Sequence, residues 1–117
     1  MLLVLVRRFA RPDREAEFLR AFAEQRPLGN LDFLGETLTR IGTGPLPPGV
    51  PSLFTPSMDA IDYLNVARWR SLEAFERQFA AQLGAPGGFD PAIETRRAEM
   101  AVLTLEERVG PADGIGG

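Results

Sequence analysis

The elements legible in the sequence run strand, helix, strand, strand, helix, strand. That order predicts an α+β fold of ferredoxin-like βαββαβ topology, a four-stranded antiparallel sheet with both helices on one face. Three observations carry this reading. The chain has 117 residues, 44% of them hydrophobic and 25% charged, the proportions of an ordinary folded domain with no room for a second core. Four short apolar runs end at charges, Gly or Pro. Two stretches between those runs space their apolar residues as a helix does. The domain is expected over residues 1–109, with a proline-rich loop insertion at 43–60 and a flexible tail at 110–117.

Residues 2–9, Leu-Leu-Val-Leu-Val-Arg-Arg-Phe, read as the first strand. Pro12 suits a first helical turn, and Asp13 and Glu15 favour the positive end of the helix dipole. The first helix is expected from Asp13 to about Arg26, with Phe18, Leu19, Phe22 and Ala23 as its buried stripe and Pro27 and Gly29 as its stop. Leu31 to Ile41 reads as the second strand, with Thr37, Thr39 and Ile41 as strand formers. Gly42 to Pro56 holds five prolines and cannot pair in a sheet. Its apolar residues Leu46, Val50, Leu53 and Phe54 favour a packed lid; the alternative is a loose insertion between two hairpin strands. Ile61 to Trp69 is the third strand, and period two puts Tyr63, Asn65, Ala67 and Trp69 on one face, Leu64, Val66 and Arg68 on the other. Ser71 is a fitting N-cap for a second helix reaching about Leu83, with Leu72, Phe75, Phe79 and Leu83 as its stripe and Gly84-Ala-Pro-Gly-Gly as its stop. Asp90-Pro91 opens a short turn, and residues 98–109 form the fourth strand.

Composition excludes whole classes of chemistry. There is no cysteine and no histidine, so disulfides, thiolate nucleophiles, Ser-His arrangements and His-ligated metal or haem are all ruled out. The lack of cysteine is compatible with a reducing cytoplasm, which is the expected location. Thirteen Lys+Arg against 16 Asp+Glu give a net charge of −3 with scattered basic residues, so neither nucleic acid nor a membrane surface is an expected partner. The apolar run Met1 to Val6 is too short to span a membrane, and Arg7-Arg8 lies on the wrong side of it for a secretory signal.

A sheet with helices on one face leaves the other face open. Strand one carries Leu2, Val4 and Val6 on one side and Leu3 and Leu5 on the other, and strand four sets Met100 and Val102 against Ala101, Leu103 and Leu105. An apolar face of that extent favours association, so a homodimer with the two sheets face to face is expected. The alternative is that the long loop covers the face within one chain.

At Tyr63-Leu-Asn-Val-Ala-Arg-Trp69, followed by Ser71-Leu-Glu-Ala-Phe-Glu, the chain resembles the antibiotic biosynthesis monooxygenase family of the dimeric α+β barrel superfamily. The resemblance covers strand one, the first helix and residues 61–105. It implies a cofactor-independent monooxygenase that oxidises a polycyclic phenol, anthrone or quinol with O2, without metal, and it implies Asn65 and Trp69 as the catalytic pair. Where the family pattern has a Tyr six residues beyond the Trp, this chain has Phe75. Haem-degrading relatives need an axial His, which is absent. Asn65 and Trp69 share a strand face and offer an amide and an indole N–H to a common point, with Tyr63 as a further donor. Phe18, Phe22, Phe75 and Phe79 are expected to wall a small aromatic molecule, although aromatic stripes at helical spacing also build cores. An Asn in mid-strand either faces a cavity or is pinned by backbone, because an unpartnered buried amide costs about 1–3 kcal/mol. Arg96 and Arg97 read as surface groups, with a minor role towards a substrate phenolate as the alternative. The competing function is a non-catalytic small-molecule-binding or stress-response protein on the same barrel.

Overall fold

The computed structural model describes residues 1–42, 46–51, 55, 57–79, 89–106 and 108–109. The strands are β1 (Leu2–Ala10), β2 (Phe33–Arg40), β3 (Ile61–Trp69) and β4 (Glu99–Thr104), and the helices are α1 (Glu15–Glu24) and α2 (Leu72–Phe79). They form one antiparallel sheet in the order β2-β3-β1-β4, the predicted α+β ferredoxin-like arrangement.

Each boundary has a local cause. Pro12 to Arg14 make a 3₁₀ turn, so α1 proper begins at Glu15 and not at Asp13. It closes when the Gln25 N–H donates to the Ala21 and Phe22 carbonyls, just before Pro27 removes the next donor. The β2 strand starts at Phe33 because Asn30 holds a turn, its Oδ1 accepting the Asp32 N–H at 2.9 Å. A bulge between Phe33 and Gly35 follows, and Gly35 takes a φ of 126° that a side chain would disfavour. Ser71 caps α2 as expected, its Oγ accepting the Ala74 N–H at 3.2 Å. The β4 strand ends at Thr104 and not at 109, since β1 has only Met1 left to offer and its carbonyl takes the Leu105 N–H. Leu83, the Gly84 stop signal and the tail at 110–117 lie outside the described residues.

The helical stripes are narrower than the spacing suggests. In α1 Phe18 is fully buried, but Leu19 and Ala23 are exposed; in α2 Ala74 and Phe75 are buried while Leu72, in the first turn, faces solvent. The core beneath the helices falls into two clusters. Leu2, Val4, Ala67, Trp69, Ala74 and Phe75 make one, with Val6, Phe33 and Phe79 against it. Ala10, Phe18 and Tyr63 make the other, with Leu38, Ile61 and Ile93.

On the opposite face the register groups Leu3 and Leu5 of β1 with Leu64 and Val66 of β3 and Ala101 and Leu103 of β4. Arg7 on this face pairs with Asp62 at 3.1 Å and donates to the Thr55 carbonyl, while the Ser57 N–H donates to Asp62 at 2.9 Å. Burial works against the Asp62 charge, but the hydrogen bonds from Ser57 and Arg7 prevail and hold its pKa below the ordinary 3.8. The proline-rich insertion is thereby tied to the face away from the helices. Leu46 and Val50 are exposed, so the described part of the loop is not the packed lid that its composition suggests; Leu53 and Phe54 lie outside the described residues.

Candidate functional site

Between the two core clusters, the helix-facing side of the sheet carries polar groups beside Val6. Period two along β1 and β3 brings Arg8 and Asn65 to this middle zone, and β2 adds Glu36. A cavity of about 640 Å³ opens here, bounded by the sheet, the end of α1, α2 and the segment 89–98. Trp69, Phe33, Phe75 and Phe79 form its aromatic end, where the Trp69 ring meets Phe33 at 5.1 Å and each of Phe75 and Phe79 at 5.8 Å between centroids.

Of the sequence-predicted site residues, the structure brings Asn65, Trp69, Phe22, Phe75 and Phe79 to this one cavity. Tyr63 and Phe18 it does not. Their rings pack on each other at 5.1 Å in the second core cluster, and the Tyr63 hydroxyl donates to Glu15 Oε2. Burial, then the Glu15 hydrogen bond and charge, push the Tyr63 pKa from 10 up to about 12. A phenol so shifted and placed is neither a base nor a donor for the cavity. Of the two consecutive arginines, Arg97 borders the cavity, whereas Arg96 covers the Phe9 ring at 3.8 Å.

Asn65 both faces the cavity and is pinned. Its Nδ2 donates to Glu36 Oε1 at 2.7 Å and to the Thr37 carbonyl at 3.0 Å, which satisfies both amide hydrogens. The amide N–H groups are therefore not aimed at a bound oxyanion, contrary to the expectation from the strand face alone. Glu36 Oε2 in turn accepts from Arg26 Nε at 3.1 Å. A second pair, Arg8 Nε to Glu94 Oε1 at 2.7 Å, lies across the cavity, with Glu94 held by a bridge to Ala10 at the end of β1. Buried carboxylates are tolerable only when paired and hydrogen-bonded in this way.

Sequence reasoning missed Glu36, Arg26, Arg8 and Glu94. For Glu36 the bulge hides the signal, because it puts Phe33 and Glu36 on one face where strict alternation separates them. For Glu94 no strand pattern exists; the Asp90 turn places it, with the Asp90 carbonyl accepting the Glu94 N–H at 3.0 Å. Among the described residues no three carboxylates come together as metal ligands, and no helix is long and apolar enough to cross a membrane.

No protein-family model and no curated protein matches the sequence. Solved structures do match its fold. Rv0793 from Mycobacterium tuberculosis superposes at a TM-score of 0.60 with 17% identity, over 92% of this chain and 98% of that one. SnoaB, a cofactor-independent oxygenase from Streptomyces nogalater, gives 0.55 and 20% over 94% and 98%. The monooxygenase ActVA-Orf6 of Streptomyces coelicolor, in complex with nanaomycin D, gives 0.51 and 15% over 95% and 92%. With further matches to structures described as antibiotic biosynthesis monooxygenases, the chain has the fold that its Tyr63 to Trp69 motif resembles.

Proposed function

We propose that the protein is a cofactor-independent monooxygenase that oxidises a polycyclic phenol, anthrone or quinol with O2, working in the cytoplasm as a homodimer. The observation that carries this reading is the cavity of about 640 Å³ with Asn65 and Trp69 on its sheet side and Phe22, Phe75 and Phe79 around it. That volume is in the range that takes a fused-ring molecule. The activity described for SnoaB and the ligand in ActVA-Orf6 support it.

For an anthrone, loss of a methylene proton gives an electron-rich anion that passes one electron to O2. The radical pair recombines, forming a C–O bond, and the peroxide takes up a proton and loses water to leave a carbonyl. The balance closes with the substrate itself as the reductant: the methylene carbon exchanges both of its hydrogens for one oxygen atom, and the other oxygen atom leaves with those hydrogens as water. The chain's part is to hold the rings in an aromatic enclosure, exclude water and stabilise developing oxygen charge, a role this reading gives to the Trp69 indole N–H.

A second reading, a non-catalytic ligand-binding protein, is favoured by one observation: both Asn65 amide hydrogens are already engaged within the protein. Oxygen uptake separates the two. Purified protein with an anthrone and quinol panel, free of flavin, metal and nicotinamide, is expected to consume O2 and form quinone, and Trp69→Phe and Asn65→Ala are each expected to slow turnover at least tenfold, about 1.4 kcal/mol of barrier. Rates unchanged in both variants leave the binding reading.

The homodimer rests on the face made by Leu3, Leu5, Leu64, Val66, Ala101 and Leu103, where Leu103 is 42% exposed. Covering such a face with a second copy removes apolar surface from water at about 25 cal/mol per Å². Light scattering at micromolar protein is expected to give twice the chain mass, and Leu103→Asp to halve it; a single-chain mass for the wild type overturns the dimer.

A further inference from the structure

We infer that Glu36 is a positioning residue that fixes Asn65 as a hydrogen-bond acceptor, so that the cavity selects a ring-bound hydroxyl over a ring-bound carbonyl or ether. The inference rests on reading the cavity as a site for an aromatic molecule, and it adds which functional group that molecule must present. A primary amide carries two N–H donors and one carbonyl acceptor. Asn65 Nδ2 stands 2.7 Å from Glu36 Oε1 and 3.0 Å from the Thr37 carbonyl oxygen. A carboxylate and a carbonyl only accept, so the reversed amide would set its oxygen against both, and the chemistry of the neighbours decides which end is nitrogen. Glu36 cannot swing away, because Arg26 Nε holds its other oxygen at 3.1 Å and its side chain is only 7% exposed.

With both donors spent, Asn65 has its Oδ1 left; among the described residues no donor meets it, and it is not among the polar atoms sealed from solvent without a partner, so a bound molecule can reach it. A group that pairs with this oxygen must itself carry a hydrogen. A phenolic hydroxyl does; a quinone carbonyl or a methyl ether does not. Among the described residues the charged groups facing the cavity are Arg8 of β1, Arg26 beyond α1, Glu36 of β2, and Glu94 and Arg97 of the segment before β4, while α2 contributes Phe75, Gln78 and Phe79. Arg8 is engaged by Glu94 and Arg26 by Glu36. A charged probe would respond to all of these, so the test uses neutral ones.

The probes are 2-naphthol and 2-methoxynaphthalene at neutral pH, identical in rings and differing in the hydroxyl hydrogen, with binding read by calorimetry. Wild type is expected to bind 2-naphthol about tenfold more tightly, the scale of one net hydrogen bond. Asn65→Leu is expected to bring the ratio to about one, and Glu36→Leu, which frees the amide to turn, to below about threefold. The spectroscopic counterpart is the Asn65 side-chain amide in an ¹⁵N spectrum: both protons protected from exchange in wild type, both exchanging faster in Glu36→Leu as the amide turns. Equal affinity for the two probes in wild type, a full ratio retained in Glu36→Leu, or no binding of either at millimolar concentration each overturns the inference. Oxygen uptake is not read here. A preserved ratio without turnover fells the monooxygenase reading alone, and turnover without the ratio fells this inference alone.

Discussion

Tyr63 provides the sharpest check on the placement of site and core. It is the only tyrosine, and the chain contains neither lysine nor histidine, its 13 basic residues all being arginine. A phenolate absorbance signal at alkaline pH therefore comes from this one residue. In the folded state burial, the Glu15 hydrogen bond and the Glu15 charge raise that phenol to about 12. Its contribution to stability is accordingly fully present below the unfolded pKa near 10 and is lost as pH rises through the folded value near 12. Two pKa units correspond to about 2–3 kcal/mol, lost with a slope of at most one proton. Phenolate absorbance of native and urea-unfolded protein gives the two pKa values directly, and urea midpoints across the same range give the stability. Tyr63→Phe is expected to abolish the slope and cost about 1 kcal/mol at neutral pH for the lost hydroxyl bond, leaving oxygen uptake unchanged. A Tyr63 that titrates near 10 in the native protein, or a Tyr63→Phe variant that stops turnover, refutes the assignment of this residue to the core.

Two further outcomes follow from the same packing. Trp69 is 1% exposed among three rings, so Trp69→Ala is expected to cost about 3–5 kcal/mol in urea unfolding, a large share of the 5–15 kcal/mol typical of a domain; Trp69→Phe should cost about 1–2 kcal/mol. For Asp62, whose pKa lies below 3.8, stability is present above the unfolded value and lost as pH falls through the folded one, and urea midpoints in acid should show a shallower decline for Asp62→Asn than for wild type.

What the sequence made legible was periodic. The alternation in Ile61 to Trp69 put Tyr63, Asn65, Ala67 and Trp69 on one face, and all four are buried. The cap at Ser71 and the turn at Asp90 were readable because each is a local hydrogen bond between residues a few positions apart. Illegible features depended on distant pairing. One strand face does not reveal that its ends belong to different clusters, so Tyr63 and Asn65, two residues apart, looked like partners although one binds Glu15 and the other Glu36. The end of β4 was set by where β1 begins, which no pattern within 98–109 records. The proline-rich loop advertised apolar residues but not the face to which Arg7 and Asp62 would tie it.

The cavity itself has a physical origin in this division. Along the helix-facing side, apolar residues at each end of β1 and β3 draw one helix down: Leu2, Val4, Ala67 and Trp69 against α2, Ala10 and Tyr63 against Phe18 of α1. At the middle, Arg8, Asn65 and Glu36 offer no apolar surface to bury, and each ion or amide there already has a partner within the sheet side of the fold or the adjoining loops. Filling that zone with a helix would strip the remaining hydration from these groups, at several kcal/mol per incompletely compensated charge. Two helices anchored at opposite ends thus leave a gap whose floor sets these polar groups beside Val4, Val6 and Ala67 and whose walls are aromatic. Replacing Asn65 and Glu36 together with leucine should remove the cost of closing it, so the double variant is expected to gain thermal stability relative to either single change, by coupling of two groups 2.7 Å apart. Simple additivity of the two substitutions would mean that the polar middle is incidental to the cavity and that the gap is kept open by something else.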